Sequence, residues 1–284
     1  MDLGINLWVW GAPITDDTVA ERVPQAAEMG YDVVEFPLEE PDGFDYDRAS
    51  DRLDEHGLGA SVVVAMSEER DLLAEDPDVR ANGREYVRET VDAAAALGSD
   101  RVVGPLYSAV GRTWRMDEAE HAAAMDDVVD QLSELAAYAG DRGVTLCVEP
   151  LNRFETSVLN TAEQTIEVVD RVDDPACEIL LDTFHMNVEE KSLPEAIRAA
   201  GDRLGHVHAC GNDRGAPGND HVDWGGVAAA LDDVGYDDQA VIESFTPEVE
   251  SIARAAAIWR PLEPSQDALA ADGLAFLQDL FGEQ

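Results

Sequence analysis

Lysine is almost absent from this chain. Lys191 is the only lysine among 284 residues, and lysine and arginine together number 19 against 61 aspartates and glutamates, which gives a formal net charge of −42 at pH 7. Binding to a nucleic-acid backbone depends on basic side chains that neutralise phosphates. So few basic residues argue against a nucleic-acid partner.

The acidic residues are scattered from Asp16 to Glu283 and do not form one block. Acidic side chains in such excess repel one another and destabilise the folded state unless salt screens the repulsion. At molar ionic strength the Debye length falls to about 3 Å. A surface that recruits a basic partner would concentrate its acids in one segment. The pattern therefore favours a protein adapted to the salt-rich cytoplasm of a halophilic organism.

Cysteine is also scarce. Cys147, Cys177 and Cys210 are odd in number and show no Cys-x-x-Cys spacing, which argues against a disulfide framework and against a structural zinc site. We expect three buried, apolar side chains in a reducing compartment. No apolar stretch approaches the roughly 20 residues of a membrane span, and Met1–Trp10 lacks the basic flank of a signal peptide. The sequence therefore predicts a cytoplasmic protein without membrane contact.

Strand-like and helix-like segments alternate along the chain, which is typical of parallel sheets built from βαβ units. The predicted strands are Leu3–Trp8, Val33–Phe36, Ala60–Val64, Arg101–Gly104, Thr145–Glu149, Glu178–Asp182, Leu204–His208 and Val241–Glu243. The predicted helices are Asp17–Met29, Asp47–His56, Arg80–Leu97, Asp117–Asp141, Thr161–Val172, Leu193–Ala200, Trp224–Val234, Ser251–Trp259 and Ser265–Phe281. This pattern predicts an α/β protein that forms a single (β/α)8 TIM-barrel domain over residues 1–284.

Local signals support these boundaries. Glycines such as Gly30 and Gly98 follow directly where helices should stop, and Thr161 with Gln164 forms a capping box. The alternative fold is an open, doubly wound sheet, which normally carries a Gly-rich phosphate loop after its first strand. The segment Trp8–Pro13 is not such a loop, so the barrel is favoured.

Four predicted strands end in a carboxylate or an imidazole. These residues are Glu149, Asp182, His208 and Glu243. The carboxyl ends of barrel strands open onto one face, where barrel enzymes keep their chemistry, so we expect the four to converge on one divalent metal ion. Three carboxylates and one imidazole favour Mn²⁺, Co²⁺ or Mg²⁺ over a structural zinc. Each residue alone has another explanation, such as a helix N-cap or a hydrogen-bonded core histidine, but their joint position favours the metal site.

Glu149 and Glu243 are expected at opposite ends of this ligand set. One glutamate could remove a proton from the carbon next to a ketone while the other returns a proton to the opposite face, with the metal stabilising the enediolate. This chemistry is epimerisation. An aldose–ketose isomerase, or a dehydratase, on the same scaffold is the alternative. A barrel-type endonuclease would need a multi-zinc cluster and a basic groove, and a sugar-binding module would not need the glutamate pair.

Around these residues the sequence resembles the D-tagatose 3-epimerase and D-psicose (D-allulose) 3-epimerase family of xylose-isomerase-like barrels. The matching stretches are Val148–Glu155, Leu181–Glu190, Gly205–His208 and Ile242–Phe245. The resemblance implies a metal-dependent ketose 3-epimerase whose divalent metal, commonly manganese or cobalt, is bound by Glu149, Asp182, His208 and Glu243. It implies that Glu149 and Glu243 also transfer the protons. It further implies sugar contacts from Glu155, His185 and Arg214, and a homodimer or homotetramer. Glu155 and His185 could instead support and orient the metal ligands.

Two stretches depart from the family pattern. The family usually shows a Gly-Glu pair between the metal-binding histidine and the arginine, whereas this chain has Ala209–Asp213 there. The segment Pro105–Trp114 also differs. Both departures concern the substrate, so the identity of the sugar stays open. Apart from Arg214 there is no clear basic cluster or Gly-rich phosphate nest, which favours an unphosphorylated sugar.

Overall fold

Eight parallel strands close into a barrel in the computed structural model, which describes residues 1–282. The strands are β1 Asp2–Asn6, β2 Val33–Pro37, β3 Gly59–Val63, β4 Arg101–Gly104, β5 Thr145–Val148, β6 Cys177–Asp182, β7 Leu204–His208 and β8 Gln239–Ile242. Neighbours in sequence pair in parallel, and β1 pairs with β8 to complete the ring. The predicted TIM barrel is confirmed.

Helices between the strands form the outer layer. They are α1 Asp16–Met29, α2 Tyr46–His56, α3 Pro77–Leu97, α4 Glu118–Gly140, α5 Ala162–Val172, α6 Thr183–Glu189, α7 Leu193–Ala200, α8 Trp224–Val234, α9 Glu250–Ala255 and α10 Gln266–Gly282. The capping box of Thr161 and Gln164 is present at α5. Gly30 and Gly98 end α1 and α3 with φ of 97° and 78°, a left-handed conformation that favours glycine. The local signals therefore fixed these helix ends.

The first strand is shorter than predicted. It ends at Asn6 rather than at Trp8, because the Asn6 side chain accepts a hydrogen bond from the Trp8 N–H at 2.8 Å. This contact begins a short 3₁₀ helix, Leu7–Val9, which turns the chain across the barrel mouth. The change brings Trp8 to the mouth of the barrel.

Three helices also differ from prediction. Helix α6 was not predicted; it starts directly after β6, and the Asp182 carboxylate caps it by accepting from the Phe184 N–H at 2.7 Å. Helix α3 begins three residues earlier than expected, with Pro77 in its first turn and Asp76 as its N-cap. Helix α9 ends at Ala255, short of the predicted Trp259.

Strand side chains are buried on both faces, as expected for a parallel barrel covered by helices. The apolar core runs from inside the barrel to the helix layer and includes fully buried Ile5, Val34, Leu146, Ile179 and Ile242. The three cysteines are buried and free. Within residues 1–282 no helix has the length and apolarity needed to cross a bilayer.

One layer inside the barrel is polar instead of apolar. Asn6 on β1 is in register with Glu35 on β2, and Glu35 is in register with Ser61 on β3. All three side chains are fully buried. Barrel interiors are usually filled by branched apolar residues, so a carboxylate here needs dedicated hydrogen-bond partners.

Candidate active site

The four predicted metal ligands meet at the carboxyl end of the barrel. Glu149 directly follows β5, Asp182 ends β6, His208 ends β7 and Glu243 directly follows β8. One ligand atom from each lies within 4.8 Å of the others, and all four residues are buried. The strand ends thus bring together side chains that are far apart in sequence, as the barrel prediction required.

This cluster has the properties of a cation site. Glu149 Oε1 and His208 Nδ1 are buried without a hydrogen-bond partner among the described residues. Leaving such polar atoms unpaired costs free energy, which a bound cation would offset. Three carboxylates and one imidazole are oxygen and nitrogen donors suited to a hard or borderline divalent ion. The residues therefore fit one divalent metal ion.

Burial and mutual repulsion disturb the protonation of the cluster. Burial, together with the charge of Glu243, raises the pKa of Glu149 well above its usual range. Burial also raises the pKa of Glu243 to about 7, although His208 and Arg214 oppose the shift. Burial would lower the pKa of His208, but Glu35 and Glu243 raise it to about 10. Both glutamates therefore bind a proton more tightly than an exposed carboxylate does.

Arg214 lies at the edge of the cluster and joins two of its carboxylates. Its Nη1 donates to Asp182 Oδ2 at 2.5 Å and to Glu243 Oε2 at 2.7 Å. The guanidinium carbon lies 4.0 Å from the centroid of the Phe184 ring, a cation–π contact. Burial alone would raise the pKa of Asp182, but Arg214 outweighs it and the pKa is lowered. Arg214 thus keeps Asp182 ionised and presents a fork of donors at the site.

His185 and Glu155 are linked by a residue that the sequence analysis did not identify as functional. The backbone N–H of Asn152 donates to His185 Nδ1 at 3.0 Å, and Asn152 Nδ2 donates to Glu155 Oε1 at 2.8 Å. His185 Nε2 lies 3.6 Å from Glu149 Oε1 and 2.9 Å from Arg214 Nη2. Burial and Arg214 lower the pKa of His185 to about 4, so the ring is neutral at pH 7. Asn152 therefore orients both side chains beside the cluster.

A cavity of about 650 Å³ extends from this cluster across the barrel mouth. Two residues of the cluster, Glu149 and Glu243, line its inner end together with all three predicted sugar-binding residues, Glu155, His185 and Arg214. Its outer end is formed by residues from the first half of the barrel, namely Trp8, Glu39, Glu40, Ser67, Glu69, Arg70 and Asn82. The four residues of the cluster lie at the ends of β5 to β8, whereas the cavity is lined by residues from both halves of the barrel mouth.

Sequence comparison relates the chain to known enzymes. A family model of xylose isomerase-like TIM barrels matches residues 23–280. The chain is 34% identical to a ketose 3-epimerase of Arthrobacter globiformis, over 98% of this chain and 96% of that protein. It is 31% identical to a D-psicose 3-epimerase of Agrobacterium fabrum, over 92% of each chain. This chain belongs to the ketose 3-epimerase family. It is therefore an isomerase-class enzyme that acts on sugars.

A solved structure of the family agrees with the fold. The D-allulose 3-epimerase of Methylomonas sp., determined in complex with D-allulose, superposes with a TM-score of 0.92 at 32% identity. The match covers 98% of this chain and 96% of that one. The overall fold thus matches that of this ketose-binding structure over nearly the whole chain.

Cys210, two residues after His208, lies against the cluster. The Cys210 N–H donates to Thr183 Oγ1 at 2.8 Å, and its thiol donates to the Glu243 carbonyl at 2.9 Å. Burial raises the pKa of this thiol well above its usual range. Cys210 is therefore a neutral residue that links the Glu243 backbone to the Thr183 side chain at the start of α6.

Glu35 is the main site residue that the sequence analysis missed. It lies on β2, is fully buried, and its Oε1 is 3.0 Å from His208 Nε2. Burial would raise the pKa of Glu35, but His208 and His206 outweigh it and lower the pKa below its usual range. The available signal was a glutamate inside the apolar run Val33–Pro37, where an unpaired charge would be costly.

Proposed function

We propose that this protein is a divalent-metal-dependent 3-epimerase of a ketose. The observation that carries the proposal is the pair Glu149 and Glu243, two glutamates buried in one cluster, each with a pKa that burial raises above its usual value. An epimerase needs one group to take a proton and a second to return one. Membership of the ketose 3-epimerase family supports the same reaction.

In the proposed mechanism one of the two glutamates removes the proton from carbon 3 of the ketose and the other delivers a proton to the opposite face. Burial keeps water from competing for these protons, since both carboxylates are at most 4% exposed. Glu149, Asp182, His208 and Glu243 would hold one divalent ion, with Mn²⁺ the first candidate and Co²⁺ or Mg²⁺ the alternatives. The ion would supply positive charge against the negative charge that develops when carbon 3 loses its proton.

The remaining site residues would hold the sugar. Arg214 donates through a rigid fork of N–H groups, and neutral His185 and the Glu155 carboxylate lie on the same cavity wall. Each can contact a hydroxyl or carbonyl oxygen of a ketose placed at the inner end. We propose that these contacts align carbon 3 between the two glutamates, because misplacement of a reacting atom by about 1 Å costs on the order of 100-fold in rate.

The direct test is a panel of ketoses incubated with metal-free or Mn²⁺-loaded protein in molar KCl and deuterated water. We expect a new epimer and deuterium at carbon 3, observed by NMR, with Mn²⁺ and not in the presence of a chelator. Co²⁺ and Mg²⁺ titrated into the metal-free protein would rank the ions. Deuterium at carbon 1 or 2 with aldose formation would instead identify an aldose–ketose isomerase and contradict the proposal.

We further propose that the substrate is unphosphorylated. The outer end of the cavity carries Glu39, Glu40 and Glu69. Its one arginine, Arg70, is already engaged, since Nη2 donates to Glu40 Oε2 at 2.7 Å and Nη1 to the Glu39 carbonyl at 2.6 Å. A phosphate there would meet like charges without a free basic partner.

This arrangement predicts discrimination against ketose 6-phosphates. We expect kcat/KM for the 6-phosphate to be at least about 10-fold lower than for the free ketose, equivalent to about 1.4 kcal/mol of repulsion. The 6-O-methyl ketose is the matched control, because it adds bulk without charge. Equal or faster turnover of the phosphate would show that the acidic end of the cavity does not contact the distal end of the sugar.

We propose a homodimer or homotetramer as the working assembly, in a salt-rich cytoplasm. Three large aromatic side chains are exposed on the described chain, Trp114 at 53%, Phe154 at 76% and Trp259 at 75%. Exposed aromatic residues are enriched in protein interfaces. The acidic charge excess supports the salt-rich environment, because the basic residues are too few to neutralise it.

A further inference from the structure

Glu35 lies in the middle of the barrel with partners on three other strands. Its Oε1 accepts from Asn6 Nδ2 on β1 at 2.9 Å, and its Oε2 accepts from Ser61 Oγ on β3 at 2.9 Å. On the opposite side it faces β7, with His208 Nε2 3.0 Å from Oε1 and His206 Nε2 3.1 Å from Oε2. A buried carboxylate with this many partners is held in one orientation.

The two ring nitrogens of His208 have different surroundings. Nε2 faces the Glu35 carboxylate, whereas Nδ1 faces the cluster and lies 3.6 Å from Glu243 Oε2. An ionised carboxylate can only accept a hydrogen bond, so Nε2 must carry the proton that joins the two side chains. In the neutral ring the lone pair is then on Nδ1, the atom that points to the other three ligands.

We propose that Glu35 is a positioning residue for the metal site. It fixes the His208 ring and its tautomer so that the lone pair of Nδ1 is available to the ion. Its negative charge also raises the basicity of Nδ1, which makes this nitrogen a stronger metal ligand. Asn6 and Ser61 hold Glu35, Glu35 holds His208, and His208 binds the metal. The proposal rests on the metal dependence stated above, and it adds a residue from the half of the barrel that contributes no ligand.

The first experiment measures Mn²⁺ affinity by calorimetry on metal-free wild type and on Glu35→Gln. The amide keeps the size of the side chain but removes its charge, and loss of a carboxylate partner of a metal-bound histidine typically weakens metal binding 10- to 100-fold. We therefore expect Kd to rise by about that factor. Glu178→Gln is the matched control, because it is a strand glutamate on β6 outside the cluster and the cavity, and its Kd should match that of wild type.

A double-mutant cycle with His208→Ala tests whether Glu35 acts through the histidine. If it does, adding Glu35→Gln to His208→Ala leaves Kd unchanged, since the residue it positions is gone. A general structural role would weaken binding by the same factor in both backgrounds. Imidazole ¹⁵N NMR of the proteins loaded with Mg²⁺, which is diamagnetic, provides a second readout. The His208 tautomer with hydrogen on Nε2 should be lost or mixed in Glu35→Gln.

Three results would overturn the proposal. The first is a Glu35→Gln protein that is folded by circular dichroism and binds Mn²⁺ as wild type does. The second is additive effects in the double-mutant cycle. The third is a wild type that binds two ions per chain and loses one in Glu35→Gln, because Glu35 would then be a ligand of a second ion together with His206 and His208.

One further variant keeps the test decisive. If Glu35→Gln does not fold, Ser61→Ala removes one hydrogen bond that holds Glu35 and should weaken Mn²⁺ binding by a smaller factor.

Failure of the proposed function is separable from failure of this inference. Wild type that binds Mn²⁺ but does not epimerise ketoses contradicts the function alone, because the affinity measurements do not depend on turnover.

Discussion

Glu149→Gln and Glu243→Gln are each expected to reduce kcat for ketose epimerisation by about 10²- to 10⁴-fold, the usual contribution of a positioned acid or base. Glutamine keeps the length and an oxygen donor of the side chain but cannot carry a proton between enzyme and substrate. The measurement is the rate of interconversion of the two epimers, followed by NMR at saturating Mn²⁺. Metal content is determined on the same samples, because both residues are also proposed as ligands.

Exchange at carbon 3 separates loss of proton transfer from loss of metal. If each glutamate serves one face, one variant still exchanges carbon 3 of one epimer with deuterated water, and the other variant exchanges only the second epimer. Loss of the ion would abolish both exchanges together. Glu178→Gln provides the matched control and should keep wild-type rates. A variant at either site that epimerises within about threefold of wild type would rule out the two-glutamate mechanism.

Much of the fold could be predicted from the sequence because strand and helix signals agreed. Short β-branched runs alternate with helical segments, and a glycine or a capping residue marks many of the boundaries. The errors arose where one side chain overrides the pattern. The Asn6 carboxamide ends β1 and starts a 3₁₀ helix, and seven residues of α6 are too few to show a helical period. The spacing of apolar residues along the chain does not reveal such local hydrogen bonds.

The cluster of four strand-end residues could be predicted because it depends only on the topology of the barrel. A residue at the end of a parallel barrel strand lies at the mouth whatever the details of packing, so Glu149, Asp182 and the others needed only correct strand ends. Asp182 also shows that a strand-end carboxylate can cap a helix and still take part in the cluster. One of its oxygens caps α6 while the other contacts Arg214.

Glu35 could not be assigned from the sequence because its role depends on contacts between distant strands. It lies 173 positions from His208, and within β2 it is one polar residue in a short apolar run. The sequence pattern also gives no measure of how deeply Arg214 is buried: it is 5% exposed because Phe184 and the carboxylates of Asp182 and Glu243 surround its guanidinium. Sequence pattern gives the position of a residue along an element, whereas pairing across the barrel comes only from the closed structure.

Raising KCl from about 0.1 M to about 2 M is expected to stabilise this protein strongly, with Tm increasing by about 10 °C or more. The Debye length shortens from about 10 Å at 0.1 M to about 3 Å at 1 M, which screens repulsion among surface carboxylates. Each kcal/mol of relief raises Tm by about 2–4 °C for a chain somewhat shorter than this one. Thermal unfolding followed by circular dichroism measures the shift.

Whether salt raises or lowers Tm depends on the balance between repulsion among the carboxylates and attraction within the ion pairs. Arginines form many ion pairs, such as Arg198 with Asp233 and Arg171 with Asp126, and salt weakens these exposed pairs, each worth about 0–1 kcal/mol. With 61 acidic against 19 basic residues, most carboxylates have no such partner, so repulsion should outweigh attraction. Sucrose at equal osmolality is the control, because it stabilises by exclusion without screening. If Tm is flat or falls as KCl is added, ion pairs dominate and the charge excess is not an adaptation to salt.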